Sequence, residues 1–298
     1  MQIGFIGLGK MGAGMARNLS VRFPVKVYDT RPEAVQELVE AGARAAGSAA
    51  EAAEGADIVV TMLPGPQEIE SVMLQEGGAA AALGTGAIWI DASSSSLDAM
   101  EQVKKAYPDA GWTALDAPVT GGVPGASAGT LQFFVGGERR DYDRAFDVLS
   151  TMGDPKRIVH VGGQGTGYTV KLCLNLGFFL HVIAGAEVLA LGTKAGVDLG
   201  VLHEALTHSG ASSAFLENDA AQSLFAGDYK EYFRLALVLK DIRLAVDLGR
   251  SVGVPLEVSA LVEQIHRRAL LTYGDGGQLL AVRQLEETAG VSLRHTGS

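Results

Sequence analysis

The sequence predicts an α/β protein in which a doubly wound parallel sheet precedes an all-α domain, with one long helix between the two. In the first half of the chain, short apolar strand patterns alternate with helical ones, as is typical of parallel strands covered on both faces. Beyond residue 162 the strand patterns disappear and a long apolar helix begins. We therefore predict two domains, residues 1–162 and residues 163–298.

The predicted strands are short apolar runs, each of which ends at or next to a glycine, a proline or an acidic residue. Such ends mark the points where strands give way to loops. The runs are Gln2–Ile6, Val25–Tyr28, Asp57–Leu63, Ala87–Ile90, Thr113–Asp116, Leu131–Val135 and Val159–Val161. Helical spacing of apolar residues predicts helices over Lys10–Leu19 and Pro32–Ala41.

The second half of the chain is predicted to be helical. A single helix from Thr169 to about Leu191 is apolar nearly all round, and such a helix is buried on most sides. We expect other helices and another subunit to cover it, in a homodimer or a homotetramer, and Cys173 to pack as a small hydrophobe. Gly196 predicts the end of this helix and Asp198 the cap of the next one. Further helices are predicted over 199–208, 214–226, 234–252, 256–272 and 277–289.

Length and composition exclude several classes of protein. The 298 residues are 47% hydrophobic and include 39 glycines without a Gly-X-Y period, which excludes a disordered or collagenous chain. A net charge of −10 argues against nucleic acid or anionic lipid as a partner. One cysteine, and six histidines without tight ligand spacing, predict neither a disulfide framework nor a metal site. The N-terminus lacks the pattern of a signal peptide, so we expect a soluble cytoplasmic protein without a membrane partner.

Three glycines follow the first predicted strand with the spacing G-x-G-x-x-G, at Gly7, Gly9 and Gly12. A helix and a second strand come next, and Asp29 ends that strand, a context typical of the Rossmann-type dinucleotide site. Gly7 allows the tight turn, Gly9 the approach of a pyrophosphate, and Gly12 close packing of helix and sheet. The N–H groups of the helix N-terminus bind the phosphates. The same predicted loop contains Leu8, Lys10 and Met11.

The choice between NAD and NADP depends on Asp29 and Arg31. The Asp29 carboxylate is placed to accept hydrogen bonds from the ribose hydroxyls and would repel a 2′-phosphate, which favours NAD. A nearby arginine can hold that phosphate instead, so Arg31 keeps NADP as an alternative. We therefore expect NAD as the cofactor and retain NADP as the second choice.

Several separate motifs make the chain similar to one family. They are GFIGLGKMG (Gly4–Gly12), TMLP (Thr61–Pro64), IDASS (Ile90–Ser94), DAPVTGG (Asp116–Gly122), GTGYTVKLCLN (Gly165–Asn175) and KDIRLA (Lys240–Ala245). With these motifs the sequence resembles the β-hydroxyacid dehydrogenases, the family of 3-hydroxyisobutyrate dehydrogenase and tartronate semialdehyde reductase. The resemblance implies hydride transfer between NAD(P) and a small β-hydroxy acid or semialdehyde, and a helical domain like that of 6-phosphogluconate dehydrogenase.

Lys171 and Asn175 lie four residues apart on the long helix, so both project from one face. A lysine on a mostly apolar helix beside a cleft can lose its proton more easily, and it could then exchange a proton with a substrate oxygen. The resemblance implies this acid–base role for Lys171 and implies that Asn175 orients the reacting oxygen. From the residues alone, the alternative is a lysine that extends from a buried helix beside an asparagine that binds backbone.

Thr120, Gly121 and Gly122 follow a predicted strand. Two successive glycine N–H groups and one hydroxyl form a suitable nest for a substrate carboxylate, and a surface turn is the alternative. The family usually has serine where Thr120 stands, and often Asn–Asn where this chain has Leu174–Asn175. These departures leave the identity of the substrate open.

Further cofactor contacts are predicted at the next strand ends and on a late helix. Leu63 ends the third predicted strand and Pro64 follows it, where the crevice of a doubly wound sheet lies. Ser93 and Ser94 follow the next strand. The resemblance implies that they contact the nicotinamide ribose, with Ser94 also near the substrate, and helix capping is the alternative. For Lys240 the resemblance implies a contact with the cofactor, and a solvated Lys–Asp pair is the alternative.

These predictions describe an NAD(P)-dependent dehydrogenase of small β-hydroxy acids that uses Lys171 as general acid and base. Two alternatives are an NADPH-dependent imine reductase on a similar scaffold and a cofactor-binding regulatory protein without turnover. Lys171 disfavours the first alternative, because the related imine reductases commonly lack a lysine there. The presence of both Lys171 and the DAPVTGG loop disfavours the second.

Overall fold

A computed structural model describes residues 1–229 and 233–295 of the chain. The chain forms two compact units, Met1–Lys171 and Leu172–Ser298. The first unit combines strands with helices, and the described part of the second unit is helical.

The strands of the first unit join in one nine-stranded sheet. They are β1 (Ile3–Ile6), β2 (Val25–Tyr28), β3 (Arg44–Ala45), β4 (Ile58–Thr61), β5 (Ile88–Asp91), β6 (Thr113–Asp116), β7 (Val119–Thr120), β8 (Leu131–Gly136) and β9 (Gly153–Gly162). Their order is β3-β2-β1-β4-β5-β6-β8-β7, and β9 also pairs with β8. The six strands from β3 to β6 are parallel, whereas β8 runs antiparallel to β6.

Helices cover this sheet and connect its strands. They are α1 (Gly12–Ser20), α2 (Pro32–Glu40), α3 (Ala49–Ala53), α4 (Pro66–Leu74), α5 (Ala79–Ala82), α6 (Leu97–Ala106), α7 (Gly122–Ala128) and α8 (Arg139–Met152). In β5 the side chains of Ile88 and Ile90 pack into one apolar cluster and Trp89 into another. Helix α1 adds Met15 to the first cluster, and α4 adds Ile69 to the second. Burial on both faces explains the continuous apolar strands and confirms the doubly wound sheet.

The remaining elements are helices. They are α9 (Thr166–Lys194), which continues from the first unit into the second, then α10 (Leu199–Thr207), a π-helix (Phe215–Leu224), α11 (Leu235–Val252), α12 (Glu257–Tyr273) and α13 (Leu280–Ala289). Gly196 has a φ of +96°, and Asp198 caps α10 by accepting the Val201 N–H at 3.0 Å, as the sequence predicts. Two apolar clusters, centred on residues such as Phe215 and Ile242, form the core of the second unit.

Helix α9 is only partly buried in the single chain. By length and composition it could cross a membrane, a criterion that the core helix of a soluble protein also meets, yet only 33% of its most apolar stretch is buried. Leu174 and Leu191 are 47% and 72% exposed, and Cys173 is exposed as well. Cys173 therefore does not pack as a hydrophobe within its own chain. That another subunit covers the rest of the helix stays a prediction. The chain's own side chains cover only part of this 29-residue cylinder.

Other differences from the sequence predictions have local causes. The strands β3 and β7 were not predicted, because two residues are too few to show a period of two. The helix expected over 214–226 is a π-helix, whose hydrophobic spacing resembles that of an α-helix. The last predicted strand, Val159–Val161, is the end of the ten-residue β9.

Candidate active site

The loop between β1 and α1 has the geometry of a phosphate-binding turn. Gly7 has a φ of +97°, and its N–H donates to the Tyr28 carbonyl at 2.9 Å. A Cβ on Gly12 would lie 1.9 Å from the Gly7 carbonyl oxygen, so only glycine allows α1 to start this close to the backbone of Gly7. A Cβ on Gly9 would meet nothing within 4 Å. The open space at Gly9, together with the absence of a side-chain cap at Met11, fits a pyrophosphate at the start of α1.

Asp29 follows β2 beside this loop, and protein donors hold both of its oxygens. The Leu8 N–H donates to Oδ2 at 2.7 Å, while the N–H and Nε of Arg31 donate to Oδ1 at 2.9 and 3.0 Å. Burial opposes ionisation of Asp29, but the hydrogen bonds from Arg31 and Leu8 outweigh it and lower the pKa of this carboxyl. The structure therefore places a charged carboxylate where the ribose of a dinucleotide lies in this fold.

Arg31 contacts both Asp29 and the phosphate-binding loop. Its Nη2 donates to the Leu8 carbonyl at 2.9 Å, and its side chain is 52% exposed. Within the loop, Lys10 is exposed and Met11 is half-buried. Arg31 thus neutralises part of the Asp29 charge and lies within the same loop cluster.

The ends of β4 and β5 are joined by hydrogen bonds through Ser93. Its Oγ accepts the Leu63 N–H at 2.9 Å and donates to Asp91 Oδ1 at 2.6 Å. Pro64 is exposed and Ser94 half-buried at the same strand ends. The capping alternative is wrong for Ser93, because its hydroxyl binds Leu63 and Asp91 and the N-cap of α6 is Ser96.

The predicted carboxylate nest forms a tight turn between β7 and α7. Thr120 is the last residue of β7 and pairs with Gln132, and α7 begins at Gly122. Gly121 and Gly122 have φ values of +124° and +61°, which favour glycine at both positions. Both glycines are exposed, so their backbone is accessible to a small ligand.

Lys171 is buried near the start of α9, with only 9% of its surface exposed. The first turn of α9 is held by Asp116, the last residue of β6, which accepts the N–H groups of Gly165 at 2.8 Å and Tyr168 at 3.0 Å. Burial raises the pKa of Asp116 to about 6, against the effect of these backbone hydrogen bonds. The sheet therefore fixes the helix turn that leads to Lys171.

In the second unit, Asp241 joins Asn175 and Lys240. Asn175 Nδ2 donates to Asp241 Oδ2 at 2.7 Å, and Lys240 Nζ lies 2.9 Å from Asp241 Oδ1. Asp241 is 1% exposed and the Lys240 side chain 23% exposed, so the solvated Lys–Asp alternative is wrong. The asparagine binds a buried carboxylate rather than backbone, which fixes the plane of its amide.

Sequence reasoning missed three buried side chains around these positions. They are Asp91, Asp116 and Tyr168, each at most 2% exposed. Tyr168 donates hydrogen bonds to both aspartates. The signal was present, because two apolar strands end in an acidic residue, in IWID and TALD. Within residues 1–229 and 233–295, no group of three or more His, Cys, Asp or Glu side chains is arranged to hold a metal ion.

Comparison with known proteins identifies the family. The model of the NAD binding domain of 6-phosphogluconate dehydrogenase matches residues 2–163, more than half of the chain. A second model, NAD-binding of NADP-dependent 3-hydroxyisobutyrate dehydrogenase, matches residues 165–285. The chain belongs to the β-hydroxyacid dehydrogenase family. As a β-hydroxyacid dehydrogenase it carries the two folds, Rossmann-type and helical, that the sequence predicts.

Individual relatives of this β-hydroxyacid dehydrogenase support the same conclusion. The 3-hydroxyisobutyrate dehydrogenase of Pseudomonas aeruginosa is 38% identical over 88% of this chain and 90% of its own length. The NAD-dependent L-serine dehydrogenase of that organism is 35% identical, over 90% of this chain and 92% of its own. A structure of Mycobacterium tuberculosis 3-hydroxyisobutyrate dehydrogenase with L-serine is 30% identical. It covers 95% of this chain and 98% of its own, with a TM-score of 0.87.

These comparisons establish the type of enzyme. This β-hydroxyacid dehydrogenase is an NAD(P)-dependent oxidoreductase that acts on hydroxyl groups. Imine reductase structures with 15–20% identity and TM-scores of 0.59–0.64 share the fold alone.

Proposed function

We propose that this enzyme transfers a hydride between a small β-hydroxy acid and NAD, with Lys171 as the general acid and base. The observation that carries the proposal is a lysine side chain only 9% exposed, one helical turn before Asn175 on α9. The names of the relatives support the substrate class, since 3-hydroxyisobutyrate and L-serine both have a hydroxyl on the carbon β to a carboxylate. A semialdehyde of the same size is the substrate in the reverse direction.

The proposed proton transfer occurs at Lys171 Nζ. In oxidation this amine accepts the proton of the substrate hydroxyl, and in reduction it returns that proton to the oxygen. Burial suits the role, because it keeps most bulk water away from the amine and the substrate oxygen. Asn175, whose amide is held by Asp241, orients the reacting oxygen. A bound nicotinamide would supply the hydride chemistry at the hydroxyl-bearing carbon.

The substrate carboxylate is proposed to bind at Thr120–Gly122. The positive φ values of both glycines turn the backbone sharply between β7 and α7, and successive N–H groups in such turns bind anions. The Thr120 hydroxyl adds a further donor. The methyl group of Thr120 narrows the space beside the nest relative to serine, which favours a compact acid.

The test of the proposed function is a panel of substrates assayed by NADH formation. We expect turnover of 3-hydroxyisobutyrate or a β-hydroxy acid of similar size. Activity should be weak on the matched alcohol without a carboxylate and on an α-hydroxy acid. Equal activity on the alcohol without a carboxylate would contradict carboxylate binding, and turnover of a cyclic imine in place of every hydroxy acid would favour the imine reductase alternative.

We propose NAD as the preferred cofactor, bound by the loop at Gly7–Gly12, by Asp29 and by the strand ends at Leu63–Pro64 and Ser93–Ser94, with Lys240 contributing from the helical unit. The charged Asp29 carboxylate accepts from ribose hydroxyls and repels a 2′-phosphate. Its pairing with Arg31 reduces this repulsion, so we expect NADP to be used with lower efficiency rather than rejected.

Replacement of Asp29 by alanine is expected to raise the KM for NAD about tenfold or more, and to change the KM for NADP by no more than about twofold. The reason is the loss of charge-assisted hydrogen bonds to the ribose together with the release of Arg31 for a phosphate. Initial rates with each cofactor measure both constants. The control is Asp143→Ala, which removes the exposed Asp143–Arg139 pair on α8. Equal changes in the KM for NAD and for NADP would contradict the proposed contact between Asp29 and the ribose.

We also propose that the enzyme is a homodimer or homotetramer in which another subunit covers the exposed part of α9. Large apolar side chains such as Leu191 are rarely left in water along one helix. Sedimentation velocity is expected to show a species of at least twice the monomer mass. Leu191→Glu should shift it towards the monomer, and a wild-type monomer at assay concentration would contradict the assembly. The cytoplasmic location stays a prediction.

A further inference from the structure

The strands β5 and β6 end in two buried aspartates that lie side by side. Asp91 and Asp116 are register partners at the ends of these parallel strands, and both are 0% exposed. Burying two carboxylates in one sheet is costly unless each is well supplied with donors. The groups that donate hydrogen bonds to each aspartate therefore show which parts of the structure the pair holds in place.

Tyr168 in α9 binds both aspartates at once. Its backbone N–H donates to Asp116 Oδ2 at 3.0 Å, and its hydroxyl donates to Asp91 Oδ2 at 2.6 Å. The side chain is 2% exposed and belongs to the apolar cluster of one sheet face. Next to it, a Cβ on Gly167 would lie 2.4 Å from the Phe134 carbonyl oxygen. The first turn of α9 is thus in direct contact with the sheet. Tyr168 is bound to the sheet through both its backbone N–H and its side-chain hydroxyl.

The other oxygen of Asp91 continues the network towards the cofactor-side strand ends. Oδ1 accepts from Thr61 Oγ1 at 2.7 Å and from Ser93 Oγ at 2.6 Å. Ser93 Oγ in turn accepts the Leu63 N–H at 2.9 Å. An unbroken series of hydrogen bonds therefore runs from the backbone at Leu63 to the hydroxyl of Tyr168.

Lys171 follows Tyr168 by three residues, which places the two on adjacent positions of the same helix face. A rotation or shift of the first turn of α9 therefore moves Lys171 as well. Proton transfer requires heavy atoms within about 3 Å of each other, so a shift of about 1 Å can cost up to about 100-fold in rate.

We propose that Tyr168 and Asp91 form a positioning pair that fixes Lys171 relative to the strand ends at Leu63 and Ser93. The pair makes no contact with substrate in this role. It acts through Lys171, and the inference therefore rests on the proposed function of that lysine. The Tyr168 hydroxyl links Asp91 to α9 by this hydrogen bond, and its removal tests the pair while the aromatic ring stays in the core.

The experiment is Tyr168→Phe in the full-length enzyme, with Tyr142→Phe as the matched control. Tyr142 is also buried in the first unit, and its hydroxyl donates to the Ile158 carbonyl at 3.2 Å, in a network that does not include Asp91. We expect Tyr168→Phe to lower kcat by about 10- to 100-fold, with the KM for NAD and the affinity for NADH within about twofold of wild type. Tyr142→Phe should keep both kcat and KM, even if its thermal stability falls equally.

A double-mutant cycle with Lys171→Ala shows whether Tyr168 acts through the lysine. We expect the double variant to be no slower than Lys171→Ala alone, because there is no longer a side chain to position. A kcat for Tyr168→Phe equal to that of Tyr142→Phe, or multiplicative losses in the double variant, would overturn the inference. If Tyr168→Phe does not fold, Asp91→Asn replaces it. The kcat of Asp91→Asn is then compared with that of Tyr142→Phe and measured in combination with Lys171→Ala, with the same results expected and the same results contradicting the inference.

The failure of the proposed function is distinguishable from the failure of this inference. Normal turnover by Lys171→Ala would contradict the role of the lysine itself. A large loss in Lys171→Ala, combined with control-like behaviour of Tyr168→Phe, would contradict the positioning pair alone.

Discussion

Lys171→Ala is expected to lower kcat by about 10²- to 10⁴-fold, the range that general acid–base catalysis contributes in enzymes. The variant loses the only group proposed to take the hydroxyl proton, while the phosphate loop and Asp29 are untouched. Steady-state rates with NAD and a β-hydroxy acid measure the loss. Fluorescence titration with NADH should give an affinity within about twofold of wild type.

The matched control for this prediction is Lys105→Ala. The Lys105 side chain is 75% exposed and pairs with Glu101 on α6, so its removal changes the net charge equally without touching the site. We expect wild-type kinetics from this control. Near-normal turnover by Lys171→Ala with intact NADH binding would contradict the mechanism, because proton transfer would then not depend on the lysine.

The second large effect is expected in stability, at Asp116. Burial raises the pKa of this carboxyl from 3.8 to about 6 in the folded state. Folding therefore favours its protonated form, and the stability that this contributes is complete below about pH 4 and is lost as the pH rises through 6. A shift of this size corresponds to about 3 kcal/mol. Asp116→Asn removes the ionisation and hence this part of the pH dependence.

Urea unfolding of the two proteins at pH 4 and pH 7 measures the effect. We expect the free energy of unfolding of Asp116→Asn, relative to wild type, to increase by up to about 3 kcal/mol from the lower to the higher pH. Asp143→Asn, at an exposed position on α8, should follow wild type at both values. A difference between Asp116→Asn and wild type that is the same at pH 4 and pH 7 would show that this carboxyl does not titrate in the range.

Much of this fold could be predicted because its elements have strong hydrophobic periods. The strands β2 and β6 begin and end where the sequence predicts, and α9 extends the predicted helix by three residues at each end. The two-residue strands β3 and β7 carry no period, so only their partners in the sheet define them. The exposure of Leu191 and Cys173 was unpredictable, since an apolar side chain does not reveal whether its own chain or another subunit covers it.

The candidate site was predictable in its positions but not in its connections. The motifs located Asp29, Ser93 and Lys240 by residue type and place along the chain. Their hydrogen-bond partners depend on tertiary structure, as in the bond between Tyr168 and Asp91, which are 77 residues apart. For that reason the sequence left capping open for Ser93, and only the structure shows its hydroxyl between Leu63 and Asp91.

The central claim is that Lys171 moves the proton of the substrate hydroxyl, and single-turnover kinetics test it most directly. The enzyme is saturated with NAD, mixed with a β-hydroxy acid, and followed by NADH absorbance. We predict a Lys171→Ala rate at least about 100-fold below wild type and a Lys105→Ala rate equal to wild type. A Lys171→Ala rate within a few-fold of wild type would contradict the claim.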